Sequence, residues 1–448
     1  MDNSLVSDAR PAASNHLLKI LGIGFGVAIV IGAVIGGSVI RTAGMLAGHL
    51  GSEWLVIGVL ALGAIWALMG ANSYAELGTM LPEAGGGYVF LRRAYGEFIG
   101  FAGGMNDLII NVCAVAYLAI VSSEFFCSLF PTLQGYENVI AIVPIIVFGL
   151  LNWLGLREGD LSQKLISTLK MLLFAGFVAA CFVYSGGTEN PANEQIVRFD
   201  SYFALFAAVM LSFQIVNESY AGWYSSVYFS EEHTDPARNV PRSMFTGIIL
   251  VSVAYLAIHA AFMYVLPLTE MAESKVAGAD VADRVFGSGG AVAVTVFGIV
   301  TTIGIVNAIL LYGPRVPFAM ARDGLLPRQF ASVNKGGTPS IALAFLMVFG
   351  SLAALSGSFE SLLAMTALFA IIGDGAVYLA LFVLRRKEPG LNRPFKAYGY
   401  PVLPGFVLLV AVVFLVGYLV SNPVNSLIAL GIVALFYPAY RLLKRVSQ

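Results

Sequence analysis

The chain predicts an all-α integral membrane protein of twelve transmembrane helices, built as two inverted repeats of five with two helices appended. Three observations carry that prediction. Of 448 residues, 58 % are hydrophobic and 11 % charged, against roughly 25 % charged in globular domains. Apolar runs of the ~20 residues needed to cross a hydrocarbon core recur along the whole length. Two of them, the first and the sixth, are interrupted by glycine and polar residues.

The runs fall near residues 18–48, 53–80, 97–130, 137–155, 161–185, 201–229, 242–267, 289–313, 338–357, 359–385, 402–420 and 424–442. Only short connections separate them, so no sizeable soluble domain is expected. Residues 1–17 form a polar tail, expected to be cytoplasmic, without the apolar core and cleavage site of a signal peptide, which leaves the first run as a retained anchor. Repeat one covers 18–185, repeat two 201–385, and the last two spans 402–442. Because five is odd, the second repeat enters from the opposite side and is inverted without further device.

Charge predicts the orientation. The net charge is −1, yet assigning Lys and Arg to alternate sides of the spans puts twenty with the N-terminus. Only Arg198, Lys275 and Arg284 fall opposite, while Arg41 and Lys170 lie within spans. By the positive-inside bias both termini are cytoplasmic.

The first run reads GIGFGVAIVIGAVIGGSVIRTAG over residues 22–44. A glycine inside a helix costs about 1 kcal/mol relative to alanine, and Gly36-Gly37 removes two side chains at one level, so the helix is expected to unwind there. The earlier pair Gly22/Gly26 fits close helix packing instead. In the sixth run NESYAGW, residues 217–223, separates AVMLSFQIV from YSSVYF. A helix in lipid must satisfy its own backbone, so such breaks survive where protein or a water-filled site supplies partners. Paired breaks in two halves point to a binding site at the midplane, and hence to a transporter.

Five stretches, in order, resemble the amino acid-polyamine-organocation superfamily, most closely its L-type amino acid permeases. They are GAVIGGSVIRTAG; AELGTMLPEAGGGYVFLRRAYGEFIGFAGGMND; YAGWYSSVYFSEEHTDPARNVPRS; RVPFAMARDGLLPRQFASVNKGGTPS; and LRRKEPGLNRPFKAYGYPVLP. The resemblance implies a LeuT-like fold with helices one and six broken and substrate held between the breaks. A half-helix N-terminus offers unpaired N–H groups that suit a carboxylate, which assigns Gly36, Gly37 and Ser38 to the substrate carboxylate. The family reads G-S-G or G-x-G where this chain has Gly36-Gly37-Ser38. Carbonyls at Ala33 and Val34, and around Tyr220 and Ala221, are expected to face the α-ammonium.

Lys170, in STLKMLLFAGF, is an ammonium inside a span, which costs on the order of 3 kcal/mol and calls for a partner. The family places a lysine here, where sodium-coupled relatives of the fold hold sodium, so the resemblance implies sodium-independent transport. Snorkelling toward Lys164 is the structural alternative. Glu218 stands where relatives carry an aromatic gating residue. It would pair with a substrate amine, accept a coupling proton, or form an ion pair with Arg41. Tyr220 and Trp223 are expected as pocket wall and lid. Asn307 either faces the substrate or makes an interhelical hydrogen bond. Glu231 and Glu232 are expected in a cytoplasmic gate with nearby arginines. Asp107, Glu124 and Asp374 read as packing partners at a bundle interface or as residues of a water-filled edge, His259 as a structural histidine, and Cys113, Cys127 and Cys181 as packing thiols.

The sequence contains no GxxxxGK[ST], HExxH or GxSxG, and calls for no cofactor, metal, nucleic acid or accessory subunit. The expected function is non-enzymatic: movement of an amino acid across the plasma membrane by alternating access, driven by proton symport or by exchange. An amine or polyamine carrier and a non-transporting amino acid sensor are the alternatives. The partners are the small-molecule substrate and the lipid bilayer.

Overall fold

Where Gly36-Gly37 interrupts the first run, the chain leaves the helix. In the computed structural model, which describes residues 16–186, 196–356, 359–421 and 423–447, this run is two helices, α1 (Ile23–Val34) and α2 (Ser38–Leu50), bent by 56° at the break. Next come α3 (Glu53–Met80), the short α4 (Gly87–Tyr95) and α5 (Glu97–Leu129). Gly86 makes the α3–α4 turn at φ +59° against the Tyr228 ring, where a Cβ would lie 2.8 Å from a ring carbon. Only glycine combines that dihedral with that approach.

The fourth run is α6 (Glu137–Ile140) with α7 (Ile142–Leu154), and the fifth is α8 (Leu156–Val183). The sixth is helical only to its break: α9 (Tyr202–Ser219) starts with the Ser201 hydroxyl accepting the Ala204 N–H at 3.1 Å. It ends at Ser219, and a turn leads to a short 3-10 stretch, Ser225–Phe229. The rest of the chain forms α10 (Pro236–Val265), α11 (Leu268–Glu273), α12 (Ala277–Phe286), α13 (Gly290–Tyr312), α14 (Arg315–Arg322), α15 (Ser340–Ser356), α16 (Phe359–Lys387), α17 (Val402–Ser421) and α18 (Pro423–Ser447).

Ten helical segments among the described residues are long and apolar enough to cross a bilayer, and the bent α1–α2 pair makes eleven. The ninth predicted run is α15, an apolar helix of 17 residues. Helix α1 is central, packed on α8, α10 and α13, while α10 also packs on α3 and α5 carries α13 and α16. On the outer helices large apolar side chains stand open, Val183 at 84 % and Val420 at 76 % exposure. Such faces are unfavourable in water at about 25 cal/mol per Å² and are at home in lipid.

The bundle is closed at the end where α1 begins. Leu21 N–H donates to the Glu232 carbonyl, and the Thr234 N–H donates to the Leu21 carbonyl, both at 2.9 Å. Beneath them Arg315 and Glu232, 1 % and 0 % exposed, pair at 3.0 Å, and the guanidinium lies 4.4 Å from the Phe229 ring centre. Arg322 grips Glu231 through two bonds of 2.7 and 2.8 Å.

Candidate functional site

The two breaks touch. Gly222, at φ +101°, presents a position where a Cβ would lie 3.0 Å from both the Cβ and the carbonyl oxygen of Ala33, so any side chain there would push the breaks apart. Tyr255 of α10 ties them together: its hydroxyl lies 3.1 Å from the Val34 carbonyl and 2.9 Å from the Ser219 carbonyl. Helix-terminal carbonyls that the unwinding leaves without helical partners are thereby occupied.

Lys170 of α8 secures the first break from the other side. Its Nζ donates to the carbonyls of Gly32 and Ile35, each at 2.8 Å, and the residue is fully buried. Gly304 of α13 leaves the space, since a Cβ there would come within 2.3 Å of the Lys170 Cε. The side chain is turned to the break and does not snorkel toward Lys164, whose amine pairs with Asp160 at 2.8 Å.

One turn along α8, the Ser167 hydroxyl donates to the Ala28 carbonyl at 2.7 Å, and Gln163 donates to Ser167 at 3.1 Å. Asn307 belongs to this network. Its Nδ2 donates to Gln163 at 2.8 Å, and its Oδ1 accepts from Asn152 at 3.0 Å. The amide thus hydrogen-bonds across α7, α8 and α13, the interhelical one of the two uses expected of it.

At the start of α2, Gly37 is the N-cap and has no side-chain oxygen to satisfy the first-turn N–H groups. The Phe125 ring stands 3.8 Å from its Cβ position and the Thr301 hydroxyl 3.9 Å. Gly36 is buried and Gly37 half-buried. The backbone of Ser38 opens α2, and its side chain lies outside the described residues.

Beside the breaks is a compartment of carboxylates and tyrosines. Glu218, the penultimate residue of α9, is exposed and within electrostatic reach of Asp374. Tyr74 donates to Asp374 at 2.7 Å, and Tyr228 to the two oxygens of Asp107 at 3.0 and 2.8 Å. Tyr74 stacks on Tyr224 with centroids 5.7 Å apart, and Tyr228 lies 4.9 Å from Tyr312. Among the described residues no lysine or arginine pairs with Glu218, Asp107 or Asp374, and Arg41 is in none of the ion pairs. Asp107 and Asp374 are thus each held by a tyrosine hydroxyl within this group.

Two aromatic residues of the second break, Tyr220 and Trp223, pack against α3. Tyr220 packs against Gly63 of α3 and edge-on to Tyr255 at 5.3 Å. Trp223 is 5 % exposed, packed against Gly70 and edge-on to Tyr74 at 5.0 Å, between α3 and the break. Ala221 is exposed. Glu231 lies at the sealed end, where it also accepts the Ala84 N–H at 3.1 Å. At that end burial pushes the His233 imidazole down to about 4, and its Nε2 lies 3.2 Å from the Ser226 hydroxyl.

An all-helical bundle whose first and sixth membrane runs are interrupted and joined at its centre defines a multi-pass membrane transporter. The profile of the amino acid permease family matches residues 25–439. The chain belongs to that family, in the L-type-like branch of the amino acid-polyamine-organocation superfamily, and is an amino acid permease, not an enzyme. It is 28 % identical over 401 residues to a serine/threonine exchanger of Bacillus subtilis (strain 168), covering 87 % of this chain and 89 % of that one. A branched-chain amino acid permease of the same organism is 28 % identical, with 85 % and 83 % covered. The b(0,+)-type amino acid transporter 1 of Mus musculus is 27 % identical, with 92 % and 84 % covered.

Proposed function

We propose that this permease carries an amino acid with a cationic side chain by alternating access, independently of sodium. The observation that carries this reading is the compartment of Glu218, Asp107 and Asp374, which has no basic partner among the described residues. Three carboxylates on one side of the breaks attract a positive charge and repel a negative one. The α-carboxylate would dock at the start of α2, on the backbone of Gly36, Gly37 and Ser38, and the α-ammonium on the Ala33 and Ala221 carbonyls. Relatives named for serine, threonine and branched-chain amino acids support a shared reading of the amino acid backbone, with side-chain selectivity set by this compartment.

Lys170 would take the place of a coupling cation, leaving exchange or proton symport as the driving process. Residues 18–185 and 201–385 would be the inverted repeats, completed by 402–442 to twelve spans, in the plasma membrane with both termini cytoplasmic. Glu231 and Glu232 with their arginines would be the cytoplasmic gate, closed in this conformation. One relative is named a small subunit; this chain is expected to act alone, which uptake by the purified chain in liposomes tests.

The compartment also fits a second reading, a carrier of amines without a carboxylate. A thermal-shift screen on detergent-purified protein separates the two, because a ligand of the folded state raises its stability. Arginine, lysine and ornithine are expected to stabilise and their methyl esters not. Stabilisation by putrescine or by the esters would select the amine reading. Stabilisation by neutral amino acids alone would overturn the charge selectivity.

A further inference from the structure

On the outer face of the bundle, between α3, the start of α10 and the segment leading into α17, lies a groove of 610 Å³. Its lining changes character along its length. Helix α3 ends near where α10 begins, with Gly78 facing Val240, so Asn72 lies near the level of Phe245 and Thr246, deeper than Arg238 and Arg242, and Leu68 and Met69 extend farther toward the apolar middle of the bundle. From Arg238 to Thr246, both on the wall, a helix rises about 12 Å, the distance from a phospholipid phosphate to the upper part of its acyl chains. The third wall is built in: Asn72 both donates to the Tyr398 carbonyl and accepts its N–H, each at 2.9 Å.

The charge at the mouth is positive. Arg238 lies 3.7 Å from Asp235, which takes part of its charge. Arg242, one turn on, is exposed and has no carboxylate partner among the described residues. The nearby carboxylate of Glu76 is already held by Arg385 at 2.5 Å and Arg393 at 3.2 Å. Basic pockets between membrane helices on one side of the bilayer recognise anionic headgroups.

We infer that this groove binds an anionic phospholipid, its phosphate on Arg242 and Arg238 and one acyl chain along Leu68, Met69 and Phe245. The site is separate from the helix breaks and does not depend on which amino acid is carried. Native mass spectrometry of the full chain with added phosphatidylglycerol and phosphatidylcholine of matched chains tests it. Wild type is expected to retain phosphatidylglycerol preferentially, by about fivefold for each arginine, and R238Q/R242Q to fall to near parity. Leu68→Trp, which fills the apolar end and keeps both arginines, is expected to lose the same lipid. Monodisperse elution of each variant separates loss of the site from loss of the fold. Equal retention of both lipids by wild type, or an undiminished preference in R238Q/R242Q, would overturn the inference. So would retention that begins only after removal of residues 1–15, which would assign the groove to the chain's own N-terminal segment.

Discussion

Lys170 donates from the far side of α1 to the carbonyl of Gly32, at 2.8 Å, and its second bond, to Ile35 at the same distance, spans the point where the helix unwinds. A hydrogen bond from a charged donor contributes about 1.5–3 kcal/mol, which offsets a burial cost of the same order. Lys170→Met keeps the length, removes both bonds and frees the break. Uptake by the variant in liposomes is expected to fall at least about tenfold. Wild-type uptake is expected to be the same when sodium is replaced by choline, and a strict sodium requirement would refute the role given to the lysine.

Tyr255 makes the corresponding link between the two breaks. Tyr255→Phe preserves the ring against Tyr220 and removes only the hydroxyl. Leaving a buried carbonyl unpaired costs about 1–3 kcal/mol. Because the Val34 and Ser219 carbonyls flank the proposed site, the expected result is a KM raised about tenfold or more. A variant with unchanged KM and only lowered thermal stability would make the tyrosine purely structural.

Some of this arrangement was legible in the residues and some was not. Gly36-Gly37 and the polar run at 217–223 announce breaks because glycine and exposed polar groups are costly in an apolar helix, and Lys170 stands out as a charge among hydrocarbons. Tyr255, in VSVAYLAIH, reads as one more aromatic in a span; its role exists only because two carbonyls, 221 and 36 residues away in sequence, converge on it. Asp107 and Asp374 likewise acquire meaning from tertiary approach. Tyr220, Trp223 and Asn307 have the chemistry of site residues, and the neighbours they meet on α3, α10 and α8 depend on helix rotation, which a short local pattern does not specify.

Glu218 and Asp374 yield a prediction of selectivity. In Glu218→Gln and Asp374→Asn the shape of the compartment is kept and one negative charge is lost. Uptake of arginine or lysine is expected to fall about tenfold relative to a neutral amino acid, measured as a ratio of kcat/KM in the same vesicles. An unchanged ratio in both variants would remove the carboxylates from substrate recognition.

The Glu232–Arg315 pair predicts stability. With both residues essentially inaccessible, Glu232→Gln leaves a guanidinium buried without its counter-charge, which typically costs about 3–5 kcal/mol. The expected outcome is a large drop in thermal unfolding midpoint. Replacing both residues with methionine is expected to recover most of it, because a well-packed apolar pair often matches a buried ion pair. Transport by the double variant is expected to remain low if the pair also holds this end of the bundle shut.

His233 makes the stability of that same end depend on pH. Its imidazole is held neutral, down at about 4 against an ordinary value of 6.5, because burial disfavours the cation more than the neighbouring Ser226 and Leu21 favour it. The unfolded chain therefore binds a proton more readily than the folded one across this window. The sign follows: the contribution is fully present above 6.5 and is lost progressively as pH falls toward 4, amounting to on the order of 3 kcal/mol. His233→Gln retains a polar group for Ser226 and does not titrate. Thermal midpoints taken across the window are expected to fall more steeply for wild type than for the variant. Parallel profiles would mean that the imidazole gains its proton without strain, and that acid opens this end through another group.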